Sequence, residues 1–302
     1  MIKFILNGSF RSGTTLVWKI MRESNPGMYV FCEPLHNNLF KEVYKEQVLK
    51  QYGHGYSTTT EYLQMGDEFL KHLRQFNSII GNEVYTFKID DVTRYLKIYD
   101  SLDKAVILQP NRMHFIISDI AHAFNCKVAH IIRHPLDVFL SVMFSSRKLK
   151  YLRQLLGVNP YLLRLIRNPN PYFLDEQFEF VLRYFGVGQT WKVTYDKYFR
   201  PKYYYLRRFI ICWTISNWYA INEIDKANGL IVRYEDIVSG ENTLQRLENY
   251  SGVRFDPKKV NIHKKSIAKY KKADIELCFN LAEKMGIGEE FRNIMERFDY
   301  GF

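Results

Sequence analysis

The chain lacks paired cysteines. Its four, Cys32, Cys126, Cys212 and Cys278, stand far apart in 302 residues. That argues against a disulfide framework or a zinc site and suits a reducing compartment, so the expected location is the cytoplasm. Long apolar runs are also missing. Phe209–Ile221, "FIICWTISNWYAI", is thirteen residues long, holds Ser216 and Asn217, and is flanked by Arg207 and Arg208. It reads as a buried helix, not a membrane span. The N-terminal "MIKFILNGSF" has too short an apolar run for a secretory signal. No internal repeat or low-complexity tract occurs. Acidic residues are in deficit, 32 against 43 basic ones, giving a formal net charge of +11. Such a balance implies anionic partners: nucleic acid, acidic membrane, or a multiply charged small ligand.

What is present is a globular composition, 47% apolar and 16% aromatic, enough for a large core. Ile2–Leu6 reads as a buried strand ending in Asn-Gly. Leu16, Val17, Ile20 and Met21 then recur at helical spacing. "MYVFCEP" (Met28–Pro34), "YTFKI", "AVILQ", "KVAHIIR" (Lys127–Arg133) and "LIVRYED" (Leu230–Asp236) are further strand candidates. Helices are expected over about His36–Tyr52, Met113–Phe124, Pro135–Arg147, Leu206–Lys226, Asn242–Tyr250 and Ala273–Met285, with proline opening the third. Strand alternating with helix predicts an α/β fold, a P-loop-like parallel sheet flanked by helices. The whole chain, 1–302, is expected to form one domain, with 148–228 as a helical lid or acceptor insertion. In such sheets ligands bind beyond the carboxyl ends of the strands. That singles out Gly8–Thr15, Glu33, Gln109, Arg133 and Tyr234–Asp236.

"GSFRSGTT" places two glycines five positions apart between a strand and a helix. Its backbone N–H groups and the helix N-terminus favour an anion, and the Thr14 and Thr15 hydroxyls can donate to phosphate oxygens. A nucleotide triphosphatase needs lysine at position 14 and a metal-binding acid downstream. Neither is present. The dinucleotide pattern fails as well, because position 10 is Phe. Alone, the loop is more often an ordinary strand-to-helix turn than a phosphate site.

Two more residues bear on the choice. Glu33, in "CEPL", ends the second strand, where a carboxylate can take a proton from a hydroxyl; a capping or surface glutamate is the plainer alternative. Arg133 ends a strand and Ser141 follows eight residues on, so both can reach one phosphate. The plainer alternative for Arg133 is an ion pair with Asp137.

Taken in order, these stretches resemble the PAPS-dependent sulfotransferases. "RSGTTL" (Arg11–Leu16) resembles their 5′-phosphosulfate loop, "RHPLDVFLS" (Arg133–Ser141) their 3′-phosphate motif, and "VRYEDIV" (Val232–Val238) their "RYEDL" strand. "ELCFNLAEKMGI" (Glu276–Ile287) is similar to their terminal helix. "MYVFCEPLHN" is closer to the carbohydrate and tyrosylprotein branches, which use a glutamate base, than to the cytosolic branch, which uses a histidine.

The resemblance implies that Ser12, Gly13, Thr14 and Thr15 hold the 5′-phosphate of PAPS. It implies that Arg11 sits near the bridging oxygen, that Arg133 and Ser141 bind the 3′-phosphate, and that Tyr234 contacts adenine. Lys264 and Lys265 would close over the 3′-phosphate, although the family's glycines are missing there. Glu33 would be the base, PAP the product, and no metal would be required. The acceptor would be a hydroxyl of a small molecule or glycan, with carbohydrate or glycolipid preferred. Peripheral membrane contact stays open, and nucleic acid is not expected as a partner. One departure stands out. Many relatives carry a lysine where this chain has Gln109, so Lys88 or another cation must substitute, or Arg11 acts alone. The rival readings are a P-loop small-molecule kinase and a catalytically inactive PAPS- or PAP-binding protein.

Overall fold

The computed structural model describes residues 1–36, 39, 43, 58–80, 85, 88–143, 174–185, 203–240, 242–260 and 270–301. The chain divides into two compact units. The first comprises Met1–Ile132 and Tyr219–Ile267, the second Arg133–Trp218 and Ala268–Phe302.

The first unit is built on five parallel strands: β1 Ile2–Gly8, β2 Tyr29–Cys32, β3 Val106–Gln109, β4 Lys127–Ile132 and β5 Leu230–Arg233. Their order across the sheet is β2-β3-β1-β4-β5. The connection out of β1 runs toward one edge and that out of β4 toward the other, the switch in direction at whose carboxyl ends such sheets bind ligands. Alternate residues enter separate cores, as period-2 strands buried on both faces require. Ile5, Phe31, Leu108 and Val128 lie in one core. Phe4, Leu6, Val30, Ile107, Ala129, Ile131 and Val232 lie in the other. Trp18 belongs to the second core, and its indole N–H donates to the Val30 carbonyl at 2.9 Å.

Several boundaries differ from the expectations. The strand expected at "YTFKI" falls partly outside the described residues, and its last residue, Ile89, opens a helix, Ile89–Asp100, which buries Val92, Tyr95, Leu96 and Tyr99. That spacing is helical, and the run's β-branched end misled the reading. The helix expected from Met113 begins at Ile117. β5 stops at Arg233, so Tyr234–Asp236 belong to the Tyr234–Ser239 helix. The helices Thr60–Gln64 and Asp67–Ile80 were not among the expected elements.

In the second unit the described elements are helical: Pro135–Met143, Leu174–Phe185, most of Tyr204–Lys226, Lys272–Lys284 and Gly288–Arg297. The last was not expected. Phe139 packs on Phe209 at 5.4 Å, and Phe291 meets both Trp213 and Phe279 edge-on. Arg208 pairs with Asp175 at 2.9 Å and lies over Phe178. Residues 148–173 and the helix expected over His36–Tyr52 fall largely outside the described residues. Among the described residues, no helix is long and apolar enough to cross a membrane.

Candidate functional site

The loop after β1 closes on itself. A Cβ at Gly8 would lie 2.5 Å from Thr14 Cγ2, 2.8 Å from Ser12 Oγ and 3.1 Å from the Ile131 carbonyl, so only glycine fits. Arg11, exposed, has φ 65°, and Gly13 has φ 101°. The Ser12 N–H donates to Ser9 O at 3.0 Å, and Gly13 O accepts from the amides of Leu16 and Val17. The Thr14–Ser24 helix starts here with no acidic residue in its first turn and no side chain capping it. Such a start favours an anion. Ser12 is buried, and its Oγ has no hydrogen-bond partner among the described residues. Thr14 is buried and Thr15 exposed. Tyr234 borders the same loop: its ring carbons would lie 2.2 and 2.3 Å from a Cβ on Gly13.

Glu33 follows β2 and is half-buried, at φ 49°. Its N–H donates to Gln109 O at 2.7 Å, which sets it at the end of β3 as well. Oε1 accepts from Asn111 Nδ2 at 3.0 Å. Burial pushes the carboxyl above its ordinary range, against the opposing pull of the Arg112 guanidinium and the Asn111 bond. Gln109 is fully buried; its amide nitrogen donates to Asn111 Oδ1, and its oxygen accepts from the Cys32 thiol at 3.1 Å. It is therefore packed away from solvent, not presented as a lysine's replacement.

Arg112 is the cation that reading the sequence missed. It is buried, lies 5.8 Å over the Phe10 ring of the loop, and acts on Glu33 electrostatically. Lys88 is exposed and precedes the Ile89–Asp100 helix. The rule that ligands gather past strand ends, carried three residues beyond Gln109, would have found Arg112. His114 was also overlooked. Its Nε2 meets Ser9 Oγ at 3.2 Å, and its ring lies edge-on to His130, which bonds Asn7 at 3.1 Å. Burial first, then His130, holds His114 well below the usual imidazole range. A fully buried imidazole cannot meet an acceptor, whereas half-buried Glu33 can. The segment 109–114 thus touches both the loop and the carboxylate.

Arg133 and Ser141 lie in the second unit. Arg133 Nη2 stands 3.9 Å from Asp137 Oδ2, so the ion pair weighed from the sequence is present. Asp137 also accepts a hydrogen bond from the Tyr270 hydroxyl. Tyr270 stacks on His134 at 4.7 Å, and His134 Nδ1 accepts from the Leu136 N–H at 3.2 Å. That bond assigns the proton of neutral His134 to Nε2. Burial lowers its pKa to about 4. Ser141 is on the Pro135–Met143 helix. Lys264 and Lys265 lie outside the described residues.

The site therefore pairs a tight loop at a helix N-terminus, a kind of start that favours an anion, with a carboxylate and a guanidinium. An uncharacterized protein of Archaeoglobus fulgidus is 28% identical over 292 residues, 90% of this chain and 91% of that protein. The sulfotransferase domain of the Synechococcus PCC 7002 olefin synthase aligns over 100% of this chain and 95% of its own, at 18% identity and a TM-score of 0.43. Residues 2–297 match the sulfotransferase domain model, and with nearly the whole length covered the chain belongs to the sulfotransferase domain family.

Proposed function

We propose that the protein transfers a sulfuryl group from PAPS to a hydroxyl of a carbohydrate or glycolipid acceptor. The observation that carries the reading is the buried Ser12 hydroxyl, without a partner among the described residues, set in a loop too tight for any Cβ at Gly8. A buried donor left unmatched is costly, and a phosphate oxygen would match it. Family membership makes sulfuryl transfer the reaction class.

In this reading Ser12, Gly13, Thr14 and Thr15 hold the 5′-phosphate, and Tyr234, against Gly13, borders the adenine. Arg133 and Ser141 take the 3′-phosphate, with Lys264 and Lys265 over it. The donor supplies an activated sulfuryl group. Glu33 removes the acceptor hydroxyl proton as that oxygen bonds to sulfur. The bond from sulfur to the 5′-phosphate oxygen breaks, and PAP departs. Arg11, with Arg112 as the second cation, stabilises the charge left on that oxygen. Burial of Glu33 supports its role, since a raised carboxylate is the better base near neutrality.

Calorimetry with PAP, without metal, tests the donor site, and ATP with magnesium is the comparison. PAP binding is expected; stabilisation by ATP and magnesium with no response to PAP would favour a kinase. The acceptor is sought by mass spectrometry of host glycans and lipids incubated with protein and labelled PAPS. On the acceptor so found, Glu33→Gln should lose about 10²- to 10⁴-fold in transfer while binding PAP normally. Full activity in that variant would remove Glu33 from the mechanism.

A further inference from the structure

We infer that Cys32, Gln109 and Asn111 form a one-directional hydrogen-bond relay that positions Glu33 and favours its carboxylate form. The inference rests on Glu33 being the base. Cys32 and Gln109 are register partners across β2 and β3. The thiol meets Gln109 Oε1 at 3.1 Å, the Gln109 amide nitrogen meets Asn111 Oδ1, and Asn111 Nδ2 meets Glu33 Oε1 at 3.0 Å.

Chemistry fixes the direction. An ionised carboxylate only accepts, so Asn111 must present its NH₂ to Glu33. Its oxygen then faces Gln109, which must donate, leaving the Gln109 oxygen for the thiol. Reversing any one amide would set oxygen against oxygen. Gln109 is fully buried, so it reaches the site only through Asn111 and is a positioning residue. Glu33 and Asn111 both have left-handed backbones, φ 49° and 58°. Non-glycine residues seldom adopt these, and such positions persist where surrounding contacts over-determine them.

The other groups around Glu33 leave the relay a distinct role. Arg112 is the fixed positive charge. The Tyr62 hydroxyl donates to Cys32 O at 2.9 Å and the Tyr95 hydroxyl to Pro34 O at 2.6 Å. Burial keeps both phenols and the Cys32 thiol well above their ordinary values, with Glu33 and Glu61 adding to the rise at the thiol. None of these three ionises over the range in which Glu33 titrates. Asn111 therefore supplies the orientable dipole, and Gln109 sets its orientation.

The test needs no acceptor. Protein labelled with carboxyl-¹³C glutamate is titrated by NMR, the Glu33 resonance being assigned by its loss in Glu33→Gln. Asn111→Gly removes the donor while suiting the positive φ, and should raise the Glu33 titration by about one pH unit. Gln109→Met removes the donor behind Asn111 at similar volume, and should shift it the same way by less. A Glu33 titration unmoved in Gln109→Met overturns the relay, whatever Asn111→Gly does. Asn111→Gly without effect overturns it as well. Transfer by Glu33→Gln judges the base assignment separately, because the titration reports on the carboxyl whether or not it is catalytic.

Discussion

Ser12→Ala should stabilise the free protein and weaken its binding of PAP. The Ser12 Oγ is buried without a hydrogen-bond partner among the described residues, and leaving a buried hydroxyl unmatched costs about 1–3 kcal/mol. Alanine removes the oxygen and sacrifices only its few contacts. A net gain near the low end, about 1 kcal/mol, would raise the melting temperature by about 2–4 °C. In the complex the same hydroxyl donates to a charged oxygen, a bond worth about 1.5–3 kcal/mol. Its loss corresponds to about 10- to 150-fold in affinity. Thermal melts of the free protein and calorimetry with PAP read the two effects separately. Their opposite signs are the signature of a group kept for a ligand at the fold's expense. A lower melting temperature with unchanged PAP affinity would mean that Ser12 is an ordinary structural serine, and would refute the reasoning.

Gly13→Ala should cost about 1–3 kcal/mol through its backbone angle alone, and the collision with Tyr234 adds to that. Tyr234→Ala in the same chain should recover only the second part, read from urea midpoints. Arg112→Gln should raise the Glu33 titration, since the guanidinium favours the carboxylate, and lower transfer by roughly 10²- to 10³-fold; an unmoved titration would separate the two residues. His134 should contribute to acid lability. Its folded pKa is about 4 against about 6.5 unfolded, so the unfolded chain binds the proton first as pH falls. The stability is fully present above pH 6.5 and is lost between about 6.5 and 4, at most roughly 3 kcal/mol. His134→Asn, whose oxygen can replace Nδ1 as acceptor for Leu136, should flatten that stretch of the pH–stability curve; an unchanged slope would place the lability elsewhere.

The loop was legible because its signals are local. Gly8 and Gly13, the apolar run before them and the helical spacing after them all lie within about twenty residues. Glu33 was legible as a strand-end residue for the same reason. Ile89–Asp100 was missed because its first residue also completes a β-like run. Its signal, the spacing of Val92, Tyr95, Leu96 and Tyr99, was nevertheless present.

Arg112 and the relay were not legible, because they depend on which strand lies beside which. Gln109 reads in sequence as a lost lysine. In the fold it pairs with Cys32, a residue 77 positions away, and orients Asn111 toward Glu33. Short-range chemistry in the sequence determined that there is a glycine-bounded turn at a helix N-terminus and a carboxylate past a strand end. Only the tertiary structure decided what surrounds that carboxylate, since strand order and register bring together side chains whose separation along the chain carries no periodic signal.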